Sequence, residues 1–313
     1  MIDFFKRAAF LFLSLFIFTA ACSKSPGGDG TGEVLGVVSV VVTLDALFEV
    51  ASVIGGDRVS VRNVVPDGAE VHHFEPSARD LAFLSSADVF LMCGLGLEPW
   101  AAGALDSAGN GGLIVGDVSL GIEPIFVSGG EFESDGGAFQ GPGGAGYDPH
   151  IWLSLNCAAV IAENVRDVFI IADPDGVEYF SSNCDAFVSR LGELFVDYDD
   201  RFSLLDNRTL VTGHAVFAYL CRDFGLFQNS IEGVFEDGEP SARSLAELID
   251  FCRVGNITAI LAERLSSPLV VETLAAECGA EVLVIYTMES AEDGKTYSER
   301  MTENLAVIYE SLN

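Results

Sequence analysis

The sequence predicts an α/β protein of two lobes joined by one long helix. Two observations carry that expectation. Short apolar, β-branched runs alternate with helical periodicity in both halves of the chain, and the alternation is interrupted once by a helical pattern too long for an ordinary crossover.

In the first half, strands are predicted over residues 37–42, 59–65 and 89–93, with a helix over 46–54. In the second, strands over 209–212, 258–262 and 282–285 alternate with helices over 215–224 and 270–278. Strand and helix in alternation is the pattern of helices packed on a sheet, so each half reads as an α/β lobe. Between the halves, Val177, Phe180, Cys184, Phe187, Leu191, Leu194, Tyr198, Phe202 and Leu205 recur at steps of three or four. Asp173 is the N-cap candidate of this helix and Pro174 stands in its first turn. At about 1.5 Å per residue one continuous helix here reaches about 45 Å, and Gly192 is where two shorter helices would separate. The organisation is therefore a signal peptide over 1–21, a lipidated flexible tether over 22–36, a first lobe over 37–172, a linking helix over 173–206 and a second lobe over 207–313. The glycine-rich, weakly acidic stretch over 129–146 has no periodicity and reads as a surface loop.

The signal peptide rests on Lys6 and Arg7 followed by an apolar run over 8–18 and then Thr19, Ala20, Ala21 and Cys22. That run is shorter than the ~20 residues a membrane span needs, and small residues at its end suit cleavage. The ending resembles a bacterial lipoprotein signal, which implies that Cys22 is acylated and anchors the chain to a lipid membrane on the extracytoplasmic face; Thr19 stands where such signals usually carry Leu. Six cysteines remain, with no close CxxC pair. Cys184, Cys221 and Cys252 occupy apolar helical positions and read as buried free thiols, and the spacing assigns no disulfide. Forty-seven acidic residues against 16 basic ones give a net charge of -31 in 313 residues, which repels phosphate backbones and excludes a nucleic-acid partner.

Only four histidines occur, His72, His73, His150 and His214, and each follows a predicted strand or precedes a helix. In open α/β sheets ligands sit in the crevice outside the strand ends. Three neutral imidazoles meeting there suit a borderline ion such as zinc. A metal site with an open water position also serves zinc hydrolases, and Glu70 or Glu75 would be the base; no HExxH helix or nucleophile elbow accompanies them, so an enzyme is not expected.

The segment Pro66-Asp67-Gly68 through His72-His73-Phe74-Glu75-Pro76-Ser77, the run Asp148-Pro149-His150-Ile151-Trp152, and Thr212-Gly213-His214-Ala215 with Phe217 and Tyr219 resemble the three ligand motifs of the zinc- and manganese-binding solute-binding proteins of bacterial ABC transporters. Gly94 to Trp100, Glu239-Pro240-Ser241 and Ala262-Glu263 resemble further landmarks of that family. The resemblance implies two lobes with central, mostly parallel sheets, a metal held between them by His72, His150 and His214, and a monomer that delivers its ion to a membrane ABC permease. His73 falls where the family pattern varies. Manganese-type relatives carry a carboxylate at the position of His214, so the imidazole favours Zn2+ over Mn2+. They also place an Asp after the last strand, where an ungapped reading puts Met288. Water or Glu289 is then left for the fourth position, Glu289 otherwise reading as a solvated surface residue. Zinc-binding relatives often carry a His-rich insertion where residues 129–146 hold no histidine, and some relatives were first described as adhesins.

Overall fold

Four of the five residues of β1 (Val38–Val42) are valines, and the strand is buried on both faces. Such a run belongs at the centre of a parallel sheet covered on both sides. Its neighbour β2 (Val59–Asn63) alternates half-buried valines with exposed Ser60 and Arg62, as an edge strand does. With β3 (Val89–Met92) and β4 (Ile114–Asp117) they form a sheet of order β2-β1-β3-β4, parallel throughout. These positions come from a computed structural model that describes residues 36–69, 71–127, 146–234, 241–264 and 268–313. The signal peptide, Cys22, the tether up to residue 35, Glu70, residues 129–145 and the Glu239-Pro240 landmark lie outside the described residues.

The first lobe adds α1 (Asp45–Gly55), α2 (Ala78–Leu84), α3 (Ala101–Ala108), the short pair β5 (Phe126–Val127) and β6 (Gly146–Tyr147), and α4 (Leu155–Ala172). The long α5 (Val177–Ser203) leads to the second lobe, which comprises β7 (Thr209–Thr212), α6 (Ala218–Phe224), β8 (Phe227–Ser230), α7 (Ala242–Gly255), β9 (Ala259–Glu263), α8 (Pro268–Cys278), β10 (Glu281–Ile285) and α9 (Tyr297–Leu312). Its sheet, β10-β9-β7-β8, is also parallel and repeats the first topology: the first strand lies between the second and third, and the fourth follows the third. In each lobe the order therefore reverses at the first strand, which opens a crevice at the strand C-termini. Largely buried residues from both sheets and from α4, α5 and α9 share one continuous apolar cluster, so the lobes are packed on each other.

The long helix is unbroken through Gly192, which is buried. Phe180, Cys184, Phe187, Leu191, Leu194, Tyr198 and Phe202 all face the core, as their spacing requires. Twenty-seven residues give about 40 Å, a little less than expected, because the helix starts later. Residues Pro174–Gly176 form a separate 3-10 turn and Gly176 holds the N-cap position. Asp173 is thus not the cap; its carboxylate pairs with Arg58 at 2.6 Å. The helix expected over 215–224 begins only at Ala218, since the chain from Gly213 to Phe217 is used in a turn.

One buried carboxylate organises the crest of the first sheet. Glu98 accepts from Thr43 Oγ1 at 2.6 Å, from the Cys93 amide at 2.8 Å and from the Gly94 amide at 3.0 Å, tying the ends of β1 and β3 together. Gly94 has φ +82°, and a Cβ there would lie 2.3 Å from Asp117 Oδ1. Burial pushes the Glu98 carboxyl from 4.5 up to about 7, against the lowering effect of its three donors. A carboxyl whose folded pKa is raised binds more protons folded than unfolded, so its contribution is full below about pH 4.5 and is lost as pH rises toward 7. Glu98→Gln removes that proton. We expect the unfolding free energy of the parent relative to Glu98→Gln to fall by up to about 3 kcal/mol between pH 4.5 and 8, measured by denaturant titration. A difference that stays constant over this range contradicts the assignment.

Candidate metal centre

The three sequence-predicted ligands come from three different loops. His72 lies beyond β2, in a segment that Val71 anchors in the core and that turns at Gly68, where φ is +77°. His150 stands between β6 and a 3-10 turn, Ile151–Leu153, whose three side chains are all buried. His214 follows β7, and its carbonyl accepts from Thr212 Oγ1 at 2.6 Å and Gln228 Nε2 at 2.9 Å. Gln228 belongs to β8, so the adjoining strand fixes the turn that presents the imidazole.

The structure brings all three rings together. One ligand atom from each lies within 4.8 Å of the other two, and His150 and His214 are buried while His72 is partly so. Ring centroids are 5.1 Å apart for His72 and His150, 5.1 Å for His150 and His214, and 6.0 Å for His72 and His214, with steep interplanar angles of 63° to 88°. The His72 and His150 Nε2 atoms are 3.2 Å apart. Two nitrogens bound tetrahedrally at about 2.0–2.1 Å would be about 3.3 Å apart, so this spacing already matches a shared zinc ion.

Asp148 sets the tautomer of His150. Its Oδ1 accepts from both the His150 amide, at 2.9 Å, and Nδ1, at 2.8 Å. A carboxylate partner on Nδ1 leaves the lone pair on Nε2, facing His72. Asp148 is fully buried; burial pushes its pKa up to about 7, while the His150 amide and then His214 and His72 oppose that rise. On His214, Nε2 lies 3.0 Å from the Val234 carbonyl, which can only accept, so with that contact made the lone pair sits on Nδ1.

The second lobe holds the His150 segment as firmly as the first. Tyr219 Oη donates to the Asp148 carbonyl at 2.7 Å and accepts from the Ile125 amide at 3.0 Å. Trp152 Nε1 donates to the Thr287 carbonyl at 2.7 Å, and Tyr297 Oη donates to the Trp152 carbonyl. Cys93 Sγ reaches the Pro149 carbonyl at 3.4 Å, linking the segment to the Glu98 network.

Residues 40–311 match the family model of the zinc-uptake complex component A, periplasmic. The chain belongs to this family. A Treponema pallidum (strain Nichols) protein named for metal binding is 39% identical over 270 residues, which are 86% of this chain and 85% of the relative. The high-affinity zinc uptake system protein ZnuA of Bacillus subtilis (strain 168) is 32% identical over 318 residues, 98% of each chain. Among solved structures, a mutant of the laminin-binding adhesin Lmb from Streptococcus agalactiae superposes with a TM-score of 0.80 at 31% identity, covering 88% of this chain and 100% of the other. The parallel two-lobed fold expected from the resemblance is the fold of this family.

Other sequence-predicted positions fall elsewhere. His73 is exposed, as is Glu75, one of the two candidate bases. Met288 is fully buried in the shared core with φ +59°. Glu289 is half-buried with Oε1 shielded from solvent, which corrects its reading as a solvated surface residue: β10 delivers this loop into the interface between the lobes, where its backbone meets α1. Sequence reasoning gave no role to Asp148, although an acid two residues before a ligand histidine is a readable sign of a tautomer-setting partner. Gln228 carried no such sign.

If Asp148 acts by fixing the His150 lone pair, removing it should weaken the site without unfolding the chain. Asp148→Ala is expected to lower zinc affinity about 10–100-fold in a chelator competition, with Asp148→Asn in between because its oxygen still accepts. Parental affinity in Asp148→Ala would remove Asp148 from the account.

Proposed function

We propose that this chain is the extracytoplasmic zinc-capturing component of an ABC importer, binding one Zn2+ through His72, His150 and His214 between its lobes and passing it to a membrane permease. The observation that carries the reading is the meeting of three imidazoles, two of them buried, with two nitrogens at zinc-ligand spacing. Imidazoles alone, with no thiolate among them, suit a borderline divalent ion, and the relatives' names point the same way: a zinc uptake system protein matches over nearly the whole chain. Manganese is the second choice, since hard oxygen ligands that favour it are absent from this triad. The zinc is cargo, bound and released unchanged.

The same reading places residues 1–21 as a cleaved leader, Cys22 as an acylated anchor, 22–36 as the tether, and lobes over 37–172 and 207–313 about the linking segment 173–206, working as a monomer. Lys6 and Arg7 before a short apolar run ending in Ala20-Ala21-Cys22 support the anchor.

Titration of the soluble form is expected to give one zinc per chain. Substituting Ala for His72, His150 or His214 should each lose several kcal/mol of an apparent total on the order of 10 kcal/mol, whereas His73→Ala should change affinity only slightly. If His73→Ala proves the most damaging of the four, the ligand set is wrong. For the anchor, a Cys22→Ala chain should leave the membrane fraction of cells; full retention there with the parent would refute acylation at this residue.

A further inference from the structure

The outer part of the second lobe, where α7 and α8 cover β9 and β10, rests on a small apolar cluster of its own, formed by Leu248, Cys252, Ile260, Val271, Leu274 and a few neighbours. Two cysteines meet there. Cys252 lies on the buried face of α7, and Cys278, partly exposed, ends α8 and packs against the same cluster. The adjoining residues are already joined: Arg253 Nη2 donates to the Glu277 carbonyl at 2.7 Å and to its carboxylate at 3.0 Å. Cys278 Sγ lies 3.8 Å from the Ile249 carbonyl, one helical turn before Cys252 on α7. Burial first, and then the neighbouring Cys278, push the Cys252 thiol up to about 12. Two of the other four buried sulfurs have polar neighbours elsewhere, Cys93 facing the Pro149 carbonyl and Cys157 the Arg222 guanidinium.

We propose that Cys252 and Cys278 form a disulfide in the exported protein, stapling α7 to α8 around β9. The proposal rests on the extracytoplasmic reading above, because a thiol pair of this kind stays reduced in a reducing cytoplasm. The oxidant is a disulfide donor, either a thiol–disulfide oxidoreductase or a small-molecule disulfide. Cys278, the more exposed, attacks the donor as thiolate, breaking its S–S bond and forming a mixed disulfide as one donor thiolate leaves. Cys252, deprotonated, then attacks the Cys278 sulfur and expels the second donor thiolate. Two protein thiols are oxidised and one donor disulfide is reduced to two thiols, with both protons taken up by the departing donor sulfurs. The closed loop contains all of β9, so the cross-link limits the unfolded chain across a small apolar cluster separate from the main core.

The test has two arms. In the first, the full chain is recovered from cells under acid quench, its free thiols are alkylated in denaturant, and it is digested without reduction and mapped by mass spectrometry. In the second, the same protein is reduced, refolded and exposed to oxidised glutathione before mapping. We expect one linked peptide pair, Cys252 with Cys278, in both arms, with Cys93, Cys157, Cys184 and Cys221 alkylated. A chain that has lost its leader yet carries alkylated Cys252 and Cys278 overturns the proposal. So does a second arm that gives separate glutathione adducts in place of the bridge. A bridge that forms in the second arm while the cell-derived chain keeps both its leader and its thiols supports the pairing and counts instead against export.

Discussion

Three imidazoles packed edge to edge are the constraint on which the rest of this structure depends. Neutral rings at this spacing can share at most a proton between neighbours, and protonated rings would repel. A divalent cation would let each neutral ring donate its lone pair to a common centre. What the protein must supply is the fixed placement of rings from three loops, and much of its polar interior is spent on that. Asp148 fixes the tautomer of His150, Gln228 and Thr212 hold the turn of His214, and the loop of His72 is tied through the Gly68 amide to Ser290 Oγ at 2.9 Å.

That last contact belongs to a wider seam between the lobes. Helix α1 has no side-chain cap at Leu44; instead the Asp45 and Ala46 amides donate, each at 3.0 Å, to the carbonyls of Glu289 and Met288. Two of the first-turn donors that every helix leaves unpaired are thus satisfied by a loop of the opposite lobe. The left-handed backbone at Met288 belongs to that arrangement. Beneath it, fully buried Arg300 pairs with Asp45 and donates to the Ser290 carbonyl at 3.2 Å. On the other flank, Ser154 and Asn156 donate to Asp223 at 2.7 Å each. Loops that carry or flank the three clustered histidines are therefore held from both lobes, and a shift of one lobe against the other would move the imidazoles.

The sequence was most readable where a single period governs a long segment. Nine apolar residues from Val177 to Leu205 foretold one helix, and a continuous α5 buries seven of them. Strand runs such as Val38–Val42 were equally plain. Short elements with mixed composition were not: α2, α3 and β8 owe their form to tertiary partners more than to pattern, as with the half-buried, polar Gln228 and Asn229 of β8. At the centre, the histidines stood out because so few exist and each lay by a strand end. Their orienting partners were hidden, since Tyr219, Thr287 and Gln228 reach the site only through the fold. Glu289 was misread because nothing local in Thr287-Met288-Glu289 reveals that the following loop is buried against another lobe.

The central claim, that imidazoles and not carboxylates hold the ion, is tested most directly by zinc affinity as a function of pH. Zinc takes only deprotonated ligands, and free histidine titrates near 6.5 while free carboxylates titrate near 4. Between pH 7.5 and 5, at fixed ionic strength and with a chelator corrected for its own protonation, affinity should fall ever more steeply and approach a dependence on up to three protons. A profile flat across that range would contradict a three-histidine site even with zinc found bound.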